Sequence, residues 1–221
     1  FAFQHMPLSI IFLALALAAI FAGSLAAIFQ DNVKRMLAYS SVAQIGYMIL
    51  GISLGSATGL TAAILHLFNH ALMKGALFLA LGCVYYRLGR VNMEQLRGLG
   101  HSMPWTMAAF VIGGLSLIGV PLTVGFISKW YLVVAALEQG WWPVAGAILL
   151  TSLLAVVYIW RVIETAYFQT VDDNSEVVSR EAPLSMLLPA WALINATLYF
   201  GIDSSLTTGA AAEAGPGVLV V

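Results

Sequence analysis

A chain of 221 residues that is 61% hydrophobic and only 9% charged, with a mean hydropathy of +0.94, carries more apolar surface than a soluble core of its size can hide. Lipid is the natural solvent for that excess. A net charge of −1, with no basic run and no aromatic–basic interleaving, excludes a nucleic-acid binder, and the single Cys83 excludes a disulfide framework or a cysteine-rich metal site.

A bilayer core needs about 20 consecutive, mostly apolar helical residues. Six stretches meet that requirement in chain order, which makes the chain an all-α membrane protein of about six transmembrane helices. The first, 8–29, is too long for the apolar part of a secretory signal and has no basic residues before it, so it reads as a span. The second, 36–55, follows Lys34 and Arg35 and has a modest polar face made by Ser40, Ser41 and Gln44. That face either lines an aqueous path or makes interhelical hydrogen bonds. The third, 60–86, starts after the turn-prone run Gly55-Ser56-Ala57-Thr58-Gly59; Cys83, near its end, reads as a small buried hydrophobe. The fourth, 105–137, is too long for a straight crossing and holds Gly119, Pro121 and Gly125 in its middle. Proline removes a backbone donor and clashes with the preceding turn, which predicts a helix broken near 119–125. The fifth is 144–168. A polar loop with Asp172, Asp173, Glu176, Arg180 and Glu181 leads to the sixth, 184–201. The tail 210–221, with Gly215-Pro216-Gly217, is expected to be poorly structured.

The basic residues orient these spans. Lys34, Arg35, Arg87, Arg90, Arg97, Arg161 and Arg180 all fall on one side of a six-span arrangement, and the other side has none. The positive-inside rule makes that side cytoplasmic and places both termini outside, in an inner or plasma membrane. Trp105 and Trp141-Trp142 sit at the two predicted interfaces.

Two lysines do not fit that scheme. Lys74 and Lys129 fall inside spans three and four, where a lysine costs about 2.5–3.5 kcal/mol on insertion scales, so they should face protein or internal water. His66, His70 and Lys74 recur at i, i+4 and i+8 and share one helix face over about 12 Å of depth, with Asn69 beside them. Histidine accepts a proton on one nitrogen and releases it from the other, and a buried lysine can exchange its proton near neutral pH. A relay through Lys74, His66, His70 and Lys129 is therefore expected, with the break admitting water a few residues before Lys129. Inert interhelical contacts are the plainer account of the same residues. The HxxxH spacing also suits zinc, but no third ligand is evident, so no metal and no cofactor is expected. Lys34 is either a topology anchor or part of a proton entrance, and Glu138 either a solvated loop residue or part of an exit. Arg161 and Glu164, at i and i+3, most simply pair at the surface.

Three motifs in order carry a family resemblance. Lys34-Arg35-Met36-Leu37-Ala38-Tyr39-Ser40-Ser41, followed by Gly46-Tyr47, resembles the K-R-x-L-A-Y-S-S-x-x-x-x-G-Y segment of the antiporter-like subunits of respiratory complex I and of Mrp-type cation/proton antiporters. His66 through Leu79 is similar to their H-x-x-x-H-x-x-x-K-x-x-L-F-L stretch, and Gly119 through Lys129 to their G-x-P-x-x-x-G-F-x-x-K break. The detail resembles the Mrp-type antiporter most, with complex I and hydrogenase components close to it. The resemblance implies a fold of about fourteen helices built on two inverted five-helix repeats. Residues 1–170 would be the second repeat, and 171–221 a cytoplasmic loop, a terminal helix and an outer tail. It also implies that Lys74 and Lys129 carry protons, that His66 and His70 connect them, and that the chain works beside sibling subunits. The first repeat is not in this sequence, so the chain is expected to be half of such a subunit, with a partner supplying the rest.

The sequence thus predicts a non-enzymatic, proton-translocating subunit of a multisubunit monovalent cation (Na+)/proton antiporter. The alternative is a membrane-arm pump subunit of a redox-driven complex, whose cofactors would sit in its partners. A third reading is an inert membrane scaffold.

Overall fold

A computed structural model of the chain describes residues 8–169 and 180–219. The helices are α1 (Leu8–Ile28), α2 (Val33–Ser53), α3 (Ala57–Leu88), the one-turn α4 (Leu99–Ser102), α5 (Pro104–Ile118), α6 (Val124–Glu138), α7 (Trp142–Phe168), α8 (Leu184–Ile202) and α9 (Ser205–Leu219). A short 3₁₀ turn, Met93–Leu96, precedes α4, and no strand occurs among the described residues. Five helices, α1, α2, α3, α7 and α8, are each long and apolar enough to cross a membrane. The sixth crossing is made of two half-helices, α5 and α6, as the glycines and proline of 119–125 predict. The protein is an integral, multi-pass helical bundle.

Local chemistry sets the helix ends. The Asn32 side chain accepts from Arg35 N at 3.1 Å, which caps α2 and starts it at Val33, before the expected residue 36. The same cap is tied to the loop after α3, because Asn32 Nδ2 donates to Asn92 Oδ1 at 2.8 Å and Val33 N donates to Val91 O at 2.9 Å. Ser56 caps α3 through Gly59 N at 3.0 Å, and Gly89, at φ 65°, ends it.

The N-terminus of α5 has Pro104 in its first turn and a carboxylate from far along the chain. Glu181 Oε1 accepts from Trp105 N at 2.6 Å and from Thr106 N at 3.1 Å, and Oε2 accepts from Thr106 Oγ1 at 2.7 Å. Negative charge at a helix N-terminus satisfies donors the helix cannot, and complements its dipole. Arg87, at the end of α3, donates to the Glu181 carbonyl, so the loop before α8 is fixed to two helix ends.

One expectation is corrected. Most of the tail forms α9, Ser205–Leu219. Asp203 starts it by accepting from Ser205 N at 3.1 Å and Ser205 Oγ at 2.6 Å, and the Ala-rich stretch that follows favours helix over the glycines and proline beyond it. These hydrogen bonds hold the exposed Asp203 carboxyl below its ordinary value. Of the polar loop residues, Asp172, Asp173 and Glu176 lie outside the described residues.

The interior has two apolar clusters with a polar layer between them. One gathers Leu37, Met73, Leu77, Met107, Phe110 and Ile159, and the other gathers Tyr47, Leu50, Leu132 and Ile148. Along α2, α3 and α6, the residues between the clusters are Ser40 and Gln44, His66 and Asn69, and Ser128 and Lys129. Outward, Ile10, Leu15, Leu149 and Leu153 are exposed, as a lipid-facing surface requires.

A candidate ion-transfer site at a broken helix

The break is built by backbone conformation and close approach. Gly119 ends α5 at φ 95°, and its amide donates to Leu115 O and Ser116 O. Leu122 is held at φ 72°, a left-handed conformation that costs a branched side chain about 1–3 kcal/mol. The half-helices then cross at Gly125: a Cβ there would lie 1.8 Å from Ser116 O, so only glycine fits. The terminal helix closes on the break from the other side. A Cβ on Gly201 would lie 2.5 Å from Leu122 O and from Thr123 Cα.

Breaking the helix leaves its last carbonyls without intrahelical partners. Lys129 Nζ fills that place, donating to Leu117 O at 2.9 Å and Ile118 O at 2.8 Å. It also lies 5.2 Å from the centre of the Tyr47 ring. A cation at the C-terminal end of a half-helix is stabilised by the helix dipole, and the ring face adds to this. Lys74 is held in a similar way, donating to Leu37 O at 2.7 Å and to the Ser40 hydroxyl. Neither lysine has a carboxylate partner among the described residues. Both are almost fully buried, at 5% and 6% exposure.

His66 connects three helices. Its Nδ1 is 2.8 Å from Ser128 Oγ on α6, next to Lys129, and its Nε2 is 3.0 Å from Gln44 Oε1 on α2. Because Gln44 Oε1 can only accept, that contact places the ring proton on Nε2 and leaves Nδ1 to accept from Ser128. His70 stacks on His66 with ring centres 6.5 Å apart and 7° between planes, and its buried Nε2 has no hydrogen-bond partner. No hydrogen bond joins His70 to Lys74 among the described residues. Asn69 holds the start of α6 by donating to Val124 O at 2.7 Å.

The structure therefore gathers Lys129, His66, Gln44 and Asn69 at the break, with His70 stacked on His66, while Lys74 sits further along α3 against Ser40 and Leu37 O. It leaves others apart. Lys34 is exposed in the first turn of α2, and Glu138 is exposed at the end of α6, about 14 Å along the helix from Lys129. Ser41 bonds only its own helix, at Leu37 O. Pro121 is exposed at the break. Arg161 does not pair with Glu164; it donates to Ile28 O and meets Asp31 at 3.5 Å. Sequence reasoning missed Ser128, Tyr47 and Thr151. Tyr47 Oη and Thr151 Oγ1 are 2.6 Å apart in the interior. Ser128 had one usable signal, a hydroxyl adjoining a buried lysine. No group of three His, Cys, Asp or Glu able to hold a metal occurs among the described residues.

A multi-pass bundle with a broken helix, and with two buried lysines held by carbonyls rather than carboxylates, defines an antiporter-like membrane subunit. The chain belongs to the NADH:quinone oxidoreductase/Mrp antiporter transmembrane family, whose model matches residues 1–155. It is 42% identical over 199 residues to the NADH-quinone oxidoreductase subunit N of Desulforudis audaxviator, an alignment covering 85% of this chain and 40% of that one. Among solved structures it is similar to a chain of the archaeal membrane-bound sulfane sulfur reductase, at 33% identity and a TM-score of 0.86, covering 96% of this chain and 42% of that one. It is also similar to a chain of the Mrp complex from Dietzia sp., at 27% identity and a TM-score of 0.84, covering 94% and 47%. The chain spans about two-fifths of the length of the curated relatives it matches.

Proposed function

We propose that this chain is a proton-translocating part of the membrane arm of a redox-driven complex, and that electron transfer in its partners drives protons through the lysine–histidine layer. This reverses the order of the two leading expectations from sequence. The likeness to oxidoreductase subunits, at 42% identity in one case and 38% to an F(420)H(2) dehydrogenase subunit L, favours it over a Na+/proton antiporter. The likeness to the Mrp complex keeps the antiporter as the second reading.

The observation that carries the proposal is the pair of buried, carboxylate-free lysines, each resting on backbone carbonyls. An ammonium held only by dipoles gives up its proton without leaving an orphaned anion behind. Lys74 passes its proton through water to His70 and His66, and Ser128 delivers it beside Lys129, whose carbonyl cradle at the break faces the exit. On this reading residues 1–170 correspond to the second of two inverted repeats, and the basic loops face the cytoplasm.

Reconstituting the intact complex in vesicles tests it. Proton movement started by an electron donor, and indifferent to a Na+ gradient, is the expected result. Proton movement driven by a Na+ gradient, with no flavin or iron–sulfur absorbance in the complex, would transfer the assignment to the antiporter.

A further inference from the structure

Tyr158 on α7 is a fully buried phenol that the lysine–histidine layer does not use. Its side chain is 0% exposed, and its hydroxyl has no hydrogen-bond partner. A buried hydroxyl without a partner is unfavourable, a cost that phenylalanine at the same place would avoid. The surroundings of the hydroxyl are specific. It lies near the Ser40 hydroxyl of α2 without a hydrogen bond to it, and within electrostatic reach of Tyr47, two turns further along α2. Ser40 Oγ is the atom that accepts a hydrogen bond from Lys74 Nζ. The Tyr47 ring is the one beside Lys129, and Tyr47 Oη is bonded to Thr151 Oγ1 at 2.6 Å. Thr151 and Tyr158 are seven residues apart, two turns along the same face of α7.

One hydrogen bond thus joins Lys74 to Ser40 and another joins Tyr47 to Thr151, with the unpartnered Tyr158 hydroxyl near both pairs. We infer that Tyr158 is a proton-path residue: its oxygen, by accepting from Ser40 when the Ser40 hydroxyl turns away from Leu37 O, joins Lys74 to a second branch that runs past Tyr47 toward the Lys129 side of the break. In the transfer, the Lys74 ammonium gives a proton to Ser40 Oγ as the Ser40 proton passes to Tyr158 Oη. The Tyr158 proton then passes to a water molecule on the Tyr47 side. Lys74 ends neutral, both hydroxyls end as they began, and the excess proton is on water. The inference rests on the proposed proton-carrying role of Lys74.

Tyr158→Phe in the whole complex removes one hydroxyl that anchors nothing, so packing and assembly should be unchanged. Donor-driven proton uptake into vesicles should fall several-fold, and its slowing in D2O should become larger. Placing 3-fluorotyrosine at 158, which keeps the shape and makes the phenol more acidic, should restore uptake and displace its pH profile. Lys74→Ala is run beside them. If Lys74→Ala stops uptake while Tyr158→Phe keeps the wild-type rate and isotope effect, the branch is overturned and the functional reading stands. If Lys74→Ala also leaves uptake unchanged, the functional reading falls and the branch falls with it.

Discussion

Gly201→Ala should damage ion transfer without touching a charged group. The substituted residue is on α8, and its new methyl carbon would sit 2.5 Å from Leu122 O and from Thr123 Cα. Ordinary contacts begin near 3.4 Å, so helix and break must part by about 1 Å. Both neighbours are backbone, which cannot rotate away, and Leu122 is already held at φ 72°. Overpacking of this kind costs about 1–3 kcal/mol. The displaced residues lie four and five positions after Ile118, whose carbonyl, with that of Leu117, holds Lys129 Nζ. A shift of about 1 Å at a transfer site can cost on the order of a hundredfold in rate. Donor-driven proton uptake in vesicles, with thermal unfolding of the solubilised complex, reads both effects. Gly209→Ala is the control, because a Cβ there meets nothing within 4 Å. A Gly201→Ala complex with the wild-type rate and melting temperature would refute the account of how the terminal helix supports the break.

Three further outcomes are expected. Glu181→Ala removes an acceptor shared by two backbone amides and a hydroxyl at the start of α5, and should destabilise the chain by about 1–3 kcal/mol in thermal or denaturant unfolding, with Glu181→Gln losing less. Leu122→Gly relieves the left-handed strain and should raise the unfolding midpoint by a stabilisation of no more than about 1 kcal/mol, measured by the same melt. The Asp203 carboxyl is held low by Ser205, so its contribution to the start of α9 is present above the ordinary carboxylate range and lost as pH falls through the lowered value. Amide exchange over residues 205–209 should therefore speed up on acidification, and Asp203→Asn should remove that pH dependence.

The spans, the break and the buried lysines were legible because each is a local property of the chain. Apolar length, a Gly-x-Pro in mid-membrane and a charge with nowhere to snorkel need no knowledge of neighbours. What each lysine touches was not legible. Lys74 could as well have met a carboxylate; its partners Leu37 O and Ser40 Oγ follow from how α2 and α3 are rotated against each other. The same limit hid the Glu181 cap, which joins residues 75 positions apart, and Ser128, which meets His66 across 62. Pairing Arg161 with Glu164 failed because the free carbonyls at the end of α1 are better placed acceptors for a guanidinium than a carboxylate one turn away on the same helix. The start of α9 was hidden because Gly215-Pro216-Gly217 is a louder local signal than the Asp203 and Ser205 that precede it.

The central claim is that protons cross this bundle by way of Lys74 and Lys129. The most direct test measures protons moved per electron pair in the reconstituted complex, for the wild type and for Lys74→Ala and Lys129→Ala. The account predicts that both variants assemble and move fewer protons per electron pair than the wild type. An unchanged ratio and an unchanged turnover rate in both would contradict it, and would leave the two lysines as structural contacts in a membrane scaffold.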